Sequence, residues 1–285
     1  MKIAHRFLLI TGLCAIALPA QSSSPSIAAP ATDSVKHLQE YQVVELRRYT
    51  TTPGKRGDFV RYFDTYFPEA FEQLGAMIFG QFIERDDRNR VVWLRGFKDI
   101  QARPVVNAAF YYGPLWREHR AKVNAVLPDS DNVMLMRPLH AGTGITVLPA
   151  VDPVLEPGGA RGIFVAQIFP VEKEQMEAFS SHAEKAFLAY DSQGVRTAGV
   201  LVTLDVPNNF PQLPIRQDGP WLVWLGLAQD DAALRALSQR MDEVEQVMTE
   251  FGGLRDSIER IVMDPTPRSR LRWPVLDAAT DQDMP

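Results

Sequence analysis

The hydrophobic and polar positions change period several times between residues 42 and 139. Apolar residues alternate with polar ones where a strand is expected, and recur every three or four residues where a helix is expected. In order, the pattern predicts a strand at 43–49, a helix at 59–74, strands at 76–84 and 91–97, a helix at 104–127 and a strand at 132–137. Pro68 predicts a kink in the first helix and Gly113-Pro114 a break in the second, because proline cannot continue the helical hydrogen bonds.

The same order of elements recurs after a Gly- and Pro-rich linker at 140–161. It comprises a strand at 162–169, a helix at 176–190, strands at 197–204 and 221–227, a helix that Asp230 caps, and a strand at 257–263. Phe59 matches Phe179 at a spacing of 120 residues, and Trp93 matches Trp224 when the longer second hairpin is allowed for. We therefore predict a tandem duplication.

Each half is predicted to be an α+β module of the order β-α-β-β-α-β, at 42–139 and 162–275. Such a ferredoxin-like module forms a four-stranded antiparallel sheet with both helices on one face, which leaves the other face bare. Two tandem modules can cover each other's bare faces and close toward a barrel. We expect a monomer that contains an internal pseudo-dimer, and the pattern leaves a higher oligomer open.

The N-terminus has the plan of a secretory signal peptide at residues 1–20. Two basic residues precede an apolar run at 7–18, which is too short to span a bilayer comfortably and is followed by a Ser-rich stretch. Cleavage is expected after Ala20, or after Ala31, which fits the small-x-small rule better but lies farther from the run. The protein is therefore predicted to be periplasmic or secreted; an uncleaved anchor or a disordered arm is the alternative.

The segments flanking the two modules are predicted to be a disordered linker at 21–41 and a disordered tail at 276–285. Cys14 is the only cysteine and lies in the apolar run, so cleavage leaves no residue that could form a disulfide. Leu13 precedes it where lipid attachment needs a small residue, which disfavours a lipoprotein. No later segment has the length of a transmembrane helix.

Composition excludes several classes of function. The formal net charge is −5 and no basic stripe is present, which disfavours nucleic-acid binding. The five histidines show no metal-ligand spacing, so no metal site is predicted. Neither a phosphate-binding glycine loop nor a Gly-x-Ser-x-Gly nucleophile motif occurs, and no cofactor is predicted.

Two motifs of the first half resemble a known family. The stretch Val44-Glu45-Leu46-Arg47-Arg48-Tyr49, followed by Thr52-Pro53-Gly54-Lys55, resembles the opening of a NIPSNAP domain. Gly113-Pro114-Leu115-Trp116-Arg117-Glu118-His119-Arg120, with Asn124 and Asp129-Ser130-Asp131-Asn132-Val133, is similar to the end of bacterial members. The resemblance covers residues 42–139 and implies a ferredoxin-like, dimeric α/β-barrel architecture.

The resemblance implies little about chemistry, since the wider barrel superfamily contains cofactor-free oxygenases as well as haem proteins. Ala166-Gln167-Ile168-Phe169 stands where the motif would fall in the second half. We therefore expect the second half to be mainly structural, and any site to belong mainly to the first half.

The first candidate site follows the strand faces. Val44, Leu46 and Arg48 share one face of the first strand, and Glu45, Arg47 and Tyr49 share the other. We predict the apolar pair to pack on the helices and the polar face to meet the partner sheet. Joined by Trp93, Arg95 and Gln81, the polar face could line a cavity in which free arginine donors hold a carboxylate or phenolate. The alternative is a structural Glu–Arg ladder.

The second candidate site is one face of a helix. Trp116, His119, Arg120 and Asn124 are spaced so that they lie on the same side. His119 could act as a general base or bind haem iron. The alternative is a packed helix face in which Arg120 pairs with an aspartate of the loop at 129–132.

Three functions remain open. The first is a non-catalytic protein that binds a small ligand or a partner in a cavity of the first module. The second is a cofactor-independent oxygenase or isomerase acting on an aromatic or quinone-like compound, with His119 or Glu45 as the base. The third is haem binding, which would need an axial histidine.

Overall fold

A computed structural model describes residues 41–146 and 148–274. The predicted signal peptide at 1–20 with its cleavage sites, nearly all of the linker at 21–41 and the tail at 276–285 lie outside the described residues. Among the described residues, no helix combines the length and the apolar character needed to cross a bilayer.

The first half follows the predicted order of strands and helices. It contains β1 (Val43–Thr50), α1 (Arg56–Tyr66), α2 (Pro68–Gln73), β2 (Ala76–Glu84), β3 (Arg90–Phe97), α3 (Ala102–Tyr111), α4 (Pro114–Asn124) and β4 (Val133–Pro138). Each predicted helix is a pair of short helices, and Pro68 and Pro114 each open the second member of a pair. Proline suits the first turn, where a backbone N–H has no helical partner.

The second half has the same order with longer helices. It contains β5 (Ile163–Pro170), α5 (Met176–Phe187), β6 (Val195–Thr203), β7 (Trp221–Ala228), α6 (Asp231–Phe251) and β8 (Glu259–Pro265). A short 3₁₀ turn, Leu188–Tyr190, extends α5. The Asp230 side chain accepts hydrogen bonds from the backbone N–H groups of Ala232 and Ala233, which confirms the predicted cap of α6.

The eight strands form one closed antiparallel barrel in the order β1-β3-β2-β8-β5-β7-β6-β4. Each half contributes a sheet in which its own fourth, first, third and second strands are neighbours. The two sheets join through β2 with β8 and through β4 with β6. Both second strands carry a register shift at a glycine, Gly80 and Gly199. The two halves therefore share their element order, their strand order and the place of this register shift.

The barrel interior is the central apolar core. Val44 and Leu46 from β1 meet Phe164, Ala166 and other apolar residues of the second half there. The opposite faces of the two sheets pack on the helices of their own half and form two further apolar layers. Burying a charge costs more in the closed barrel interior than on a sheet face that short helices cover.

The predicted orientation of β1 is therefore wrong. Tyr49 and Trp93 belong to the apolar layer beneath the helices of the first half, while Val44 and Leu46 fill the barrel. Glu45 bonds to Arg103 of α3, which places the polar face on the helix side too. The polar residues do share one face, but that face meets helices and not the partner sheet.

The segment after β8 folds back onto the first half. The backbone N–H of Leu271 donates to the carbonyl of Phe79 at 2.8 Å, and that of Thr266 to the carbonyl of Gln81 at 2.8 Å. These bonds continue the ladder along β2 beyond its pairing with β8.

Candidate functional site

A cavity of about 410 Å³ lies between the sheet of the first half and its helices. We call it the aromatic cavity. Its aromatic lining residues are Tyr49, Phe59, Phe63, Phe67, Phe71, Trp93, Phe110, Tyr111, Tyr112, Trp116 and Phe210. The volume falls within the range of about 300–1,000 Å³ that is usual for small-molecule sites.

The helices place these rings because their apolar positions recur at helical spacing. Phe59 and Phe63 project from α1, and Phe67 lies at the junction with α2. Phe71 stacks on Phe110 of α3 with ring centroids 3.8 Å apart. The first helix pair thus packs on the second through rings, and flat ring faces remain around the space between them.

The polar end of the cavity is formed by Arg47 and Tyr49 of β1. Arg47 Nε donates to the Tyr49 hydroxyl oxygen at 2.6 Å, and Arg47 Nη1 donates to Glu45 Oε2 at 2.6 Å. Among the described residues, Arg47 Nη2 donates no hydrogen bond. The Nε and Nη1 donors of the guanidinium are therefore used within the protein, and Nη2 is left to donate to a ligand.

Burial raises the pKa of Tyr49 to about 12, although the charge of Arg47 acts in the opposite direction. Tyr49 is therefore a neutral phenol at physiological pH. Its oxygen already accepts from Arg47, and the described residues offer its own proton no acceptor. Tyr49 can thus donate a hydrogen bond into the cavity beside the charged Arg47.

Glu45 lies behind this end of the cavity inside a cage of three arginines. Its Oε2 accepts from Arg47 and, at 2.7 Å, from Arg95 Nε; its Oε1 accepts from Arg103 Nε at 2.6 Å. Burial alone would raise the pKa of Glu45, but the charges of Arg95, Arg47 and Arg103 together hold it well below its usual range. A carboxylate with this pKa and no free oxygen is unsuited to act as a general base.

The cage carries more positive than negative charge. Arg47, Arg95 and Arg103 are at most 1% exposed and share the single carboxylate of Glu45. Both terminal nitrogens of Arg95 and the Nη2 of Arg103 are buried, and no described residue gives them a hydrogen-bond partner. Buried charge of one sign is costly unless a counter-charge is supplied. The excess therefore favours an anion in the adjoining cavity.

The mouth of the cavity combines residues from both halves. Arg120 and Asn124 of α4 line it together with Asp131. The long β6–β7 loop of the second half covers it with Phe210 and the run 212–214. This loop is held by Asn209, whose side-chain nitrogen donates to the Ile100 carbonyl at 2.7 Å. The second half therefore shapes the site as well as closing the barrel.

His119 lies at a different place from the rest of its predicted helix face. Its Nδ1 is hydrogen-bonded to the Tyr62 hydroxyl, and its ring stacks on Tyr66 with centroids 4.2 Å apart. It is 7% exposed and does not line the aromatic cavity, whereas Trp116, Arg120 and Asn124 do. His119 therefore packs between α1 and α4.

Of the predicted binding residues, six line the aromatic cavity: Arg47, Tyr49, Trp93, Trp116, Arg120 and Asn124. Arg95 supports it from behind through Glu45. Gln81 is 1% exposed and lines a neighbouring cavity. No sequence signal pointed to Arg103, because it lies on a helix remote from the motif, or to the covering loop of the second half. Among the described residues, no group of acidic, histidine or cysteine side chains could hold a metal ion.

Solved structures with a similar fold cover most of the chain. A presumed monooxygenase from Lactobacillus acidophilus has a TM-score of 0.53 and 16% identity, over 83% of this chain and all of that one. An anthrone oxidase-like protein has a TM-score of 0.54 and 13% identity, over 79% of this chain and 92% of that one. These identities support a shared α/β-barrel fold and nothing further.

A NIPSNAP domain protein from Burkholderia xenovorans is 21% identical over 35% of this chain and 96% of that one, with a TM-score of 0.31. No curated protein sequence is similar to the chain. The model of the NIPSNAP family matches residues 44–140, the segment that holds both motifs and every predicted site residue. The match to the NIPSNAP family is therefore confined to residues 44–140, about a third of the chain.

Proposed function

We propose that the aromatic cavity binds a small aromatic molecule that carries an anionic oxygen, a carboxylate or a phenolate. The observation that carries this proposal is the excess of buried positive charge beside the cavity, with three arginines sharing one carboxylate. An anion held by Arg47 would bring the missing counter-charge, and the aromatic walls would cover its ring.

Arg47 and Tyr49 have distinct roles in this proposal. The free Nη2 of Arg47 donates to one ligand oxygen, and the neutral Tyr49 hydroxyl donates to the same or the adjacent oxygen. Neither group must give up a protein partner to do so, because the bonds of Arg47 to Glu45 and Tyr49 use its other nitrogens. Preorganised donors of this kind cost little to reorder on binding.

The test uses 2-naphthoate and the neutral 2-naphthamide as matched probes. Calorimetry, or quenching of Trp93 and Trp116 fluorescence, should show 2-naphthoate binding at least about tenfold more tightly, because only the acid supplies charge. Arg47→Met should weaken 2-naphthoate binding about 100-fold. Arg61→Met changes an arginine that is 75% exposed and should have no effect on binding. Equal binding of the two probes, or unchanged binding to folded Arg47→Met, would refute the proposal.

The alternative function is a cofactor-independent oxygenase or isomerase with His119 or Glu45 as base. The descriptions of two neighbours of similar fold, a presumed monooxygenase and an anthrone oxidase-like protein, are consistent with it. The geometry supports it less, since Glu45 is locked in its cage and His119 does not line the cavity. Oxygen consumption with anthrone-type substrates that is lost in His119→Gln would favour this alternative.

We also propose that the protein is exported, on the pattern of residues 1–20. Protein recovered from the periplasm or the medium should begin at Gln21 or Thr32. Full-length protein that stays in the cytosol and begins at Met1 would contradict export.

We further propose that the two halves arose by tandem duplication and that the chain is a monomer with an internal pseudo-dimer. Support comes from the matching strand orders and from the register shifts at Gly80 and Gly199. Light scattering should give the mass of one chain. A stable dimer would overturn the monomer but not the duplication.

A further inference from the structure

We propose a second binding site, for a small aliphatic molecule with a primary ammonium group, in the cavity that Gln81 and Asp64 line. This second cavity has a volume of about 460 Å³ and lies between α1–α2, the linker at 150–159 and the segment after β8. Phe63 borders both it and the aromatic cavity. The inference is independent of what the aromatic cavity binds.

The first observation is the Gln81 carboxamide. The residue is 1% exposed and lines the second cavity, and neither Nε2 nor Oε1 has a hydrogen-bond partner among the described residues. A buried amide without partners loses its hydrogen bonds to water and gains none, so such a group is rare unless a ligand or water satisfies it. Its backbone is fixed, because Ser269 Oγ accepts from its N–H at 3.1 Å and donates to its carbonyl oxygen at 2.5 Å.

The second observation is the Asp64 carboxylate. It accepts from Thr266 Oγ1 at 3.3 Å and has no ion pair with any described residue. Burial raises its pKa to about 6, so it is mostly ionised at neutral pH. Thr266 also bonds through its backbone to the Gln81 carbonyl, which ties Asp64 and Gln81 to the same turn. Asp64 and Gln81 therefore border the same cavity, and each brings a side-chain acceptor to it.

The other charges that line the second cavity are paired. Arg270 Nη2 bonds to Glu72 Oε2 at 2.7 Å, Arg268 pairs with Glu69, and Glu156 is held by Arg272. Among the described residues, Asp64 is thus the one lining carboxylate without a salt bridge, although Arg268 donates to its backbone carbonyl and the charge of Arg268 lowers its pKa. The site lacks a single positive charge, which is the opposite of the aromatic cavity.

The ligand class follows from this charge and from the walls. An ammonium group supplies one positive charge and three donors, which suits a carboxylate and an amide oxygen. Phe63, Ile78, Pro153 and Pro267 provide apolar surface for a hydrocarbon body. An anion would be repelled by Asp64, and a neutral alcohol would leave the charge of Asp64 uncompensated.

The test uses cyclohexylammonium with two probes of the same shape, cyclohexanol and cyclohexanecarboxylate. Ligand-observed NMR titration of the full chain at pH 7.5 should show cyclohexylammonium binding at least about tenfold more tightly than either. Asp64→Asn and Gln81→Leu should each weaken it about tenfold. Asp58→Asn and Gln73→Leu change exposed residues of α1 and α2 and should leave it unchanged.

Gln81→Leu keeps the test decisive, because its amide has no partner to lose and the variant should fold. It should leave 2-naphthoate binding within about twofold, so failure of one site is distinguishable from failure of the other. Cyclohexanol binding as tightly as cyclohexylammonium, or unchanged binding to folded Gln81→Leu, would overturn the proposal.

Discussion

The two halves of this barrel share one topology but treat the space under their helices differently. At the register position of Arg47 the second half has Gln167, as both residues lie opposite the tryptophan of the following hairpin. Gln167 accepts from Tyr190 Oη at 2.5 Å and donates to Glu245 at 2.8 Å. Its side-chain donor and acceptor are both satisfied within the protein.

The position of Arg95 shows the same difference between the two halves. Its counterpart is Gly226, where an added Cβ would come within 2.0 Å of the Trp224 ring. Trp224 therefore occupies the space that a long side chain takes in the first half. Among the described buried side-chain atoms without a partner, all but Arg255 Nε belong to the first half. This uneven distribution of unsatisfied polar groups supports the proposal that the first half receives a ligand.

The largest expected effect comes from Glu45→Gln. The change leaves three buried arginines without a counter-charge, and we expect a loss of about 3–5 kcal/mol of unfolding free energy. Urea unfolding measures it. Glu259→Gln, which removes a 43% exposed partner of Arg48, is the control and should cost less than about 1 kcal/mol. Similar losses for both variants would mean that the cage carries no excess charge.

A pH-dependent effect is expected for Asp64→Asn. Burial raises the pKa of Asp64 from 3.8 to about 6, so ionising it is harder in the folded than in the unfolded state. The resulting destabilisation is absent below pH 4, grows between pH 4 and 6, and is complete above pH 6. Asp64→Asn should therefore stabilise the protein at pH 7.5 by at most about 3 kcal/mol and have little effect at pH 4. An equal effect at both pH values would contradict the assignment.

A matched pair of variants tests the two halves directly. Gln167→Met removes the partner of Tyr190 and Glu245, and we expect it to destabilise by about 1–3 kcal/mol. Arg47→Met, at the same register position, lowers an excess of buried charge and should change stability by less than about 1 kcal/mol. Thermal and urea unfolding of both variants measures which one loses more unfolding free energy. A larger loss for Arg47→Met than for Gln167→Met would contradict the proposed difference between the halves.

The smallest expected effect is a gain from Asn107→Leu. Asn107 is fully buried on α3, and within the part of the chain that the structure describes neither polar atom of its side chain has a hydrogen-bond partner. Leucine has the same number and branching of side-chain heavy atoms and no polar group to bury, so we expect a gain of about 1 kcal/mol. Asn209→Leu is the control, because it breaks the bond to Ile100 and should not stabilise. Destabilisation by Asn107→Leu would show that its amide is satisfied by water.

The sequence predicted the order of all eight strands and the helix breaks at Pro68 and Pro114, because hydrophobic period and proline act locally. The same local pattern misplaced the faces of β1. Both faces of a barrel strand are buried, so the rule that the apolar face meets the helices fails when the partner sheet is the more apolar neighbour.

The sequence predicted which residues form the site better than it predicted how they are arranged. Arg47, Tyr49 and Trp93 share a face in any register, so their grouping did not depend on which way the face points. Gln81 lies on the same face but lines the second cavity, which shares Phe63 with the aromatic cavity. Arg103 and the Phe210 loop reach the site only through tertiary packing, and local sequence carries no signal for such contacts.

The closure of the barrel has a consequence for how the molecule is assembled. Phe82 pairs with Pro265, 183 residues later in the chain. The sheet of the first half therefore has an uncovered apolar face and an unpaired edge until nearly the whole chain has been synthesised. Such long-range pairing is slow, and exposed strand edges invite association between chains. Helper proteins that hold nascent chains unfolded should therefore raise the yield of the native barrel.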